Sequence, residues 1–152
     1  MACRACLGIL VVLTCAASAP LDAQALDTVP ARSDTVPARL TSGQDTAAII
    51  VPDTVRRGQA FTAKITVFAG GCIRQGAGSR VKIHGLVADV TLLHVRRFED
   101  TCTSDEIISH ETISLRFDRA GLGRIRFHGV TNQLDFRAEP RWVVIERTVV
   151  VR

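Results

Sequence analysis

The strongest constraint on this chain is the alternation in Ala60–Ala69 (AFTAKITVFA). Phe61, Ala63, Ile65 and Val67 fall on one face, and Thr62, Lys64 and Thr66 on the other. A period of two commits the segment to a strand with one buried and one solvated face, because successive side chains of extended backbone point to opposite sides. The same period recurs in Glu111–Asp118, with Ile113, Leu115 and Phe117 inward, and in Arg124–Val130, with Ile125 and Phe127 inward. Arg80–Ile83 and Leu86–Arg97 read as two strands, or as one bent at Gly85; the second is apolar in both phases, as suits a strand near the centre of a sandwich. Thr46–Val51 and Trp142–Val151 complete the set, the latter read as a central strand covered on both faces. No stretch carries a helical period.

Turn signals separate these segments: Gly58, the glycine-rich Gly70–Arg80, and Arg119–Gly123. Hydrophobic residues make up 47% of the 152 residues, enough for a core, yet aromatics only 5%, so valine, isoleucine and leucine must do the packing. Branched side chains fit a pleated surface well. The expectation is an all-β fold, a single antiparallel β-sandwich of about seven or eight strands.

Phe117-Asp118-Arg119-Ala120-Gly121, leading into Ile125-Arg126-Phe127-His128-Gly129, resembles the corner before the penultimate strand of immunoglobulin-like β-sandwich domains in secreted bacterial proteins. The resemblance implies such a sandwich over residues 46–152. It implies no particular activity, because these sandwiches host many functions.

Upstream of the domain the chain divides in two. Residues 1–25 read as a secretory signal peptide: Arg4 supplies the basic start, Leu7–Ala17 an apolar run too short to span a membrane, and Ala23-Gln24-Ala25 the favoured cleavage site. An uncleaved anchor and lipid attachment at Cys15 are the alternatives, the second weakened by Thr14 in the preceding Val12-Leu13-Thr14. Residues 26–45 read as an extended linker containing a tandem repeat, Asp27-Thr28-Val29-Pro30-Ala31-Arg32-Ser33 followed by Asp34-Thr35-Val36-Pro37-Ala38-Arg39-Leu40. The two copies differ only at their last position. Proline in each rules out a coiled coil, since it removes a helical hydrogen bond.

Removal of the leader takes Cys3, Cys6 and Cys15 and leaves Cys72 and Cys102. An even pair in an oxidising compartment is expected to form a disulfide, here tying two loops at one end of the sandwich. The competing use of the same region is a metal or catalytic site built on Cys102, Asp105 and His110, but no C-x-x-C or H-x-x-x-H spacing supports it. Three histidines, His84, His94 and His128, lie within strands and are read as surface or rim residues.

Other chemistries find no support. Gly71 and Gly76 have the spacing of a phosphate loop, but Ala77 stands where the lysine is needed. There is no G-x-S-x-G nucleophile elbow. Net charge is +4, carried almost wholly by arginine, but scattered and not interleaved with aromatics, so no nucleic-acid partner is expected. The reading that remains is a non-enzymatic, secreted or periplasmic binding or structural module without a cofactor or a transmembrane segment. Its partner is a protein or glycan at the cell envelope, and Gly70–Arg80 and Phe98–His110 are its expected contact loops. Pairing through Trp142–Val151 as an edge strand is a third possibility.

Overall fold

A computed structural model describes residues 33–42, 45–74, 76–98, 101–102, 105–131 and 141–152. The expected signal peptide, and residues 26–32 and 43–44 of the expected linker, lie outside the described residues. Every regular element described is a strand: β1 Ser33–Pro37, β2 Arg39–Ser42, β3 Asp45–Thr46, β4 Ile49–Ile50, β5 Thr54–Val55, β6 Ala60–Gly70, β7 Ile73–Arg74, β8 Ser79–His84, β9 Val87–Arg97, β10 Glu106–Arg116, β11 Gly121–Thr131 and β12 Trp142–Val151. No helix among the described residues is long and apolar enough to cross a membrane.

The long strands make three antiparallel ladders. In one, β6 pairs with β10 along its whole length, from Ala60 opposite Arg116 to Gly70 opposite Glu106. In the other two, β8 pairs with β9, and β11 with β12. The expected simple antiparallel sandwich is nevertheless wrong. Val87–Thr91 of β9 runs parallel to Arg124–His128 of β11. Beyond that stretch the two strands part, and the segment from Ser33 to Ser42 enters the fork. β1 pairs antiparallel with Leu93–Arg97, while β2 lies parallel to β11 and antiparallel to β6. β7 links β6 to β9, so β9, β11, β2, β6 and β7 close a five-stranded barrel to which the other strands are added.

This also corrects the linker, in which Ser33–Pro37 and Arg39–Ser42 are paired strands. At the tip of the fork Ala38 donates its N–H to Leu92 O at 2.9 Å and accepts from Val130 N–H at 3.0 Å, so one fully buried residue joins both walls. Arg39 reaches sideways and donates from its guanidinium to Phe68 O at 3.4 Å and Ala69 O at 2.6 Å. Leu40 then points into the core and is fully buried. Gly129 makes this approach possible. A Cβ there would stand 2.5 Å from Leu40 Cγ and 2.6 Å from Ala38 O.

Phe117, Phe127, Ile65, Leu92, Leu115 and Ile125 fill the rest of the centre, and Phe61 stacks on Phe117 with ring centroids 5.9 Å apart. The inward faces are those the alternation assigns. β12 differs from expectation: among the described residues only Val150 and Val151 have a second neighbour, β5, and Trp142, Val144 and Val150 are exposed. A strand apolar in both phases can lie at a margin, because the apolar outer side chains contact solvent at modest cost.

Candidate functional site

Parity places the polar site. With Ala88 and Val90 inward on β9, Asp89 and Thr91 face out; with Ile125 and Phe127 inward on β11, Arg126 and His128 face out beside them. The parallel register sets Arg126 opposite Asp89 and His128 opposite Thr91. On the far side of β9, Lys82 stands opposite Asp89 and Arg80 opposite Thr91; across β11, Glu146 of β12 stands opposite Arg126. One row of alternating charge, Lys82–Asp89–Arg126–Glu146, thus crosses four strands.

Asp89 is the hub. Arg126 donates from its terminal nitrogen to Oδ2 at 2.8 Å, and His128 Nε2 lies 2.7 Å from Oδ1. A carboxylate only accepts, so the His128 proton sits on Nε2. The hydrogen bond from His128, followed by that from Arg126, holds the Asp89 carboxyl below the usual carboxylate range against an opposing push from partial burial. Trp142, two-thirds exposed, stands at the end of the same face. Together with Arg80, Lys82, Asp89, Thr91 and His128 it lines a groove of about 390 Å³. Among the described residues, no ion pair engages Arg80 or Lys82.

A larger groove of about 450 Å³ lies at the opposite end of the strands, between Pro52–Phe61 and Arg152. No side-chain hydrogen bond or ion pair organises its lining among the described residues, so it offers space without fixed polar geometry. We therefore place the candidate site at the Trp142 groove.

The residues singled out in the sequence are distributed differently. Cys72, in the turn after β6, and Cys102, ahead of β10, are joined by a disulfide with Cα atoms 5.0 Å apart. Cys102 therefore has no thiolate to offer a metal. His110 faces outward on β10, where its Nδ1 lies 3.1 Å from Thr66 Oγ1, and Asp105 precedes the strand. Among the described residues no three or more His, Cys, Asp or Glu side chains converge on a metal-sized site. The expected contact loops are shorter than the sequence reading allowed, because Ser79–Arg80 belongs to β8 and Glu106–His110 to β10. Ile107, Ser109 and Glu111 simply continue the inward phase of Ile113 and Leu115.

His94 is a second correction. It is fully buried, not at the rim, and its Nε2 lies 3.1 Å from Glu111 Oε1. The signal was present, since Ala88, Val90 and Leu92 share its phase. Arg126 and the Asp89 hub were missed because only the pairing of β9 with β11, strands separated by β10, brings them together. Comparison with family models, with curated proteins and with solved structures finds no match for this chain.

Proposed function

We propose that this protein is an extracytoplasmic, non-enzymatic binding module whose ligand is an acidic saccharide held in the groove beside Trp142. One observation carries the reading: an exposed indole shares a groove with a carboxylate fixed on both oxygens and with two cations that have no ion-pair partner among the described residues. A sugar ring has an apolar C–H face that suits a flat aromatic surface and a rim of hydroxyls that need oriented donors and acceptors. Trp142 supplies the first, and Asp89, Thr91 and His128 the second. Arg80 and Lys82 select for a carboxylate, sulfate or phosphate on the sugar, since arginine pairs with such groups through a planar fork. Asp89 is already neutralised by Arg126, so it does not repel an anion. The leader and the Cys72–Cys102 bond support an oxidising compartment outside the cytoplasm.

Trp142 is the only tryptophan, and the chain has no tyrosine, so intrinsic fluorescence excited near 295 nm reports this groove alone. Titration with a polyuronate is expected to change Trp142 emission saturably. The response should weaken with salt, as charge-steered binding does, and vanish in Arg80→Ala/Lys82→Ala. No response to any acidic polysaccharide, or an equal response to single-stranded DNA, would reject the proposal.

A further inference from the structure

The tandem repeat is the one motif the binding reading leaves unused. Its second copy is the strand that fills the fork between β9 and β11, and nearly every position of the unit has a task there. Asp34 stands opposite Arg96, and Val36 is half-buried opposite His94. Pro37 stands opposite Leu93, and proline is tolerated in a strand that is paired along one edge. Ala38 is the fully buried tip bonded to both walls. Arg39 donates to two carbonyls at the end of β6. The first copy, Asp27–Arg32, is identical at all of these positions.

We infer that the fork is a strand-binding site for the Asp-Thr-Val-Pro-Ala-Arg unit, that the chain carries two ligands for it, and that Leu40 decides which one is seated. The copies diverge only at the seventh residue, leucine in the second and Ser33 in the first. That position lies against Gly129 in the core. Seating the first copy would put a serine hydroxyl where Leu40 is fully buried and would leave a cavity. It would also throw Asp34–Leu40 into the connection leading to β4, but the entropy of a longer loop rises only logarithmically with its length. Within the repeat unit, discrimination therefore rests on one side chain; past it, Asp34 and Thr35 would replace Thr41 and Ser42 opposite Thr46 and Asp45. Losing a fully buried leucine disfavours the shifted register by roughly 100- to 1000-fold. The inference is independent of the saccharide reading, since it concerns the fork and not the outer face of β9.

Paired cysteines test it in the full chain after leader removal, with Cys72–Cys102 kept oxidised. Thr35 lies opposite Val95, so Thr35→Cys/Val95→Cys reports the second copy in the fork, and Thr28→Cys/Val95→Cys reports the first. Both are equilibrated in glutathione buffer, and the intramolecular bond is counted by mass on monomer. In the otherwise unchanged chain the first pair should close at least roughly 100 times more favourably than the second. Adding Ser33→Leu, which leaves the second copy untouched, should raise closure of Thr28→Cys/Val95→Cys by roughly 100-fold, because the seventh position of the unit then no longer differs. If Thr28→Cys/Val95→Cys stays closed to exchange after Ser33→Leu, the fork does not accept the first copy. If it closes equally well without Ser33→Leu, Leu40 is not the discriminator. Either result overturns the inference.

Discussion

Replacing Gly129 with alanine tests the fork directly. The residue has no left-handed φ, so alanine carries no backbone strain there, and in an unobstructed strand the change would stabilise by about 0.4–1 kcal/mol through the unfolded chain. The space is obstructed. The new Cβ would sit 2.5 Å from Leu40 Cγ, 2.8 Å from Leu40 Cδ1 and 2.6 Å from Ala38 O. The leucine tip can rotate, but the carbonyl cannot, because it accepts the Val130 N–H. Overpacking of this kind costs about 1–3 kcal/mol, enough to reverse the sign of the entropic gain. Leu40→Ala alone should cost about 2–5 kcal/mol. The double variant should be less unstable than the sum by about 1 kcal/mol, since removing Leu40 clears two of the three contacts and leaves the third. Equilibrium urea unfolding followed by circular dichroism reads all three values. A neutral or stabilised Gly129→Ala would show that the fork is not closed this tightly, and strict additivity would show that Leu40 is not what the new methyl meets.

Other expectations follow from the same geometry. Cys72→Ser/Cys102→Ser opens a loop of 30 residues in sequence separation and should lose about 3–4 kcal/mol, read by denaturant midpoint; a loss under about 1 kcal/mol would mean the unfolded chain is not constrained by the bond. Asp89 has a lowered folded-state pKa, so its contribution is present above the unfolded carboxyl value of about 3.9 and is lost as pH falls through the folded value. Asp89→Asn should accordingly flatten the stability profile below about pH 4, and an unchanged acid limb would contradict the hub. Glu111→Ala leaves the His94 Nε2–H without its acceptor in the core and should cost about 1–3 kcal/mol, whereas His94→Leu/Glu111→Leu should recover most of it; a double variant no better than the single would argue against that account. Trp142→Ala should change stability by no more than about 0.5 kcal/mol, because the side chain is two-thirds exposed, yet abolish saccharide binding measured by calorimetry.

Much of the strand content was legible in the alternation. Phe61, Ala63, Ile65, Val67, Ile113, Leu115, Phe117, Ile125 and Phe127 face the core or pack against it, as a period of two requires. His94 could have been placed by extending the Ala88–Val90–Leu92 phase by one more step. The linker was misread because Asp-Thr-Val-Pro-Ala-Arg is short, polar and interrupted by proline. Nothing local marks it as a strand, and its order comes from the two walls and from the Arg39 contacts.

The chain by itself settled which of the long segments are extended and which of their faces are apolar. These are properties of residues a few positions apart, and the two-residue repeat of extended backbone writes them directly into the order of side chains. Only the tertiary structure decided which strands are neighbours. Parallel contact between β9 and β11, and entry of β2 between β11 and β6, depend on contacts between residues distant in sequence. Barrel closure, the seat of the repeat and the Asp89–Arg126–His128 cluster all follow from that choice. Alternation says which way a side chain faces, but the residue it meets there is determined only when the whole core is packed.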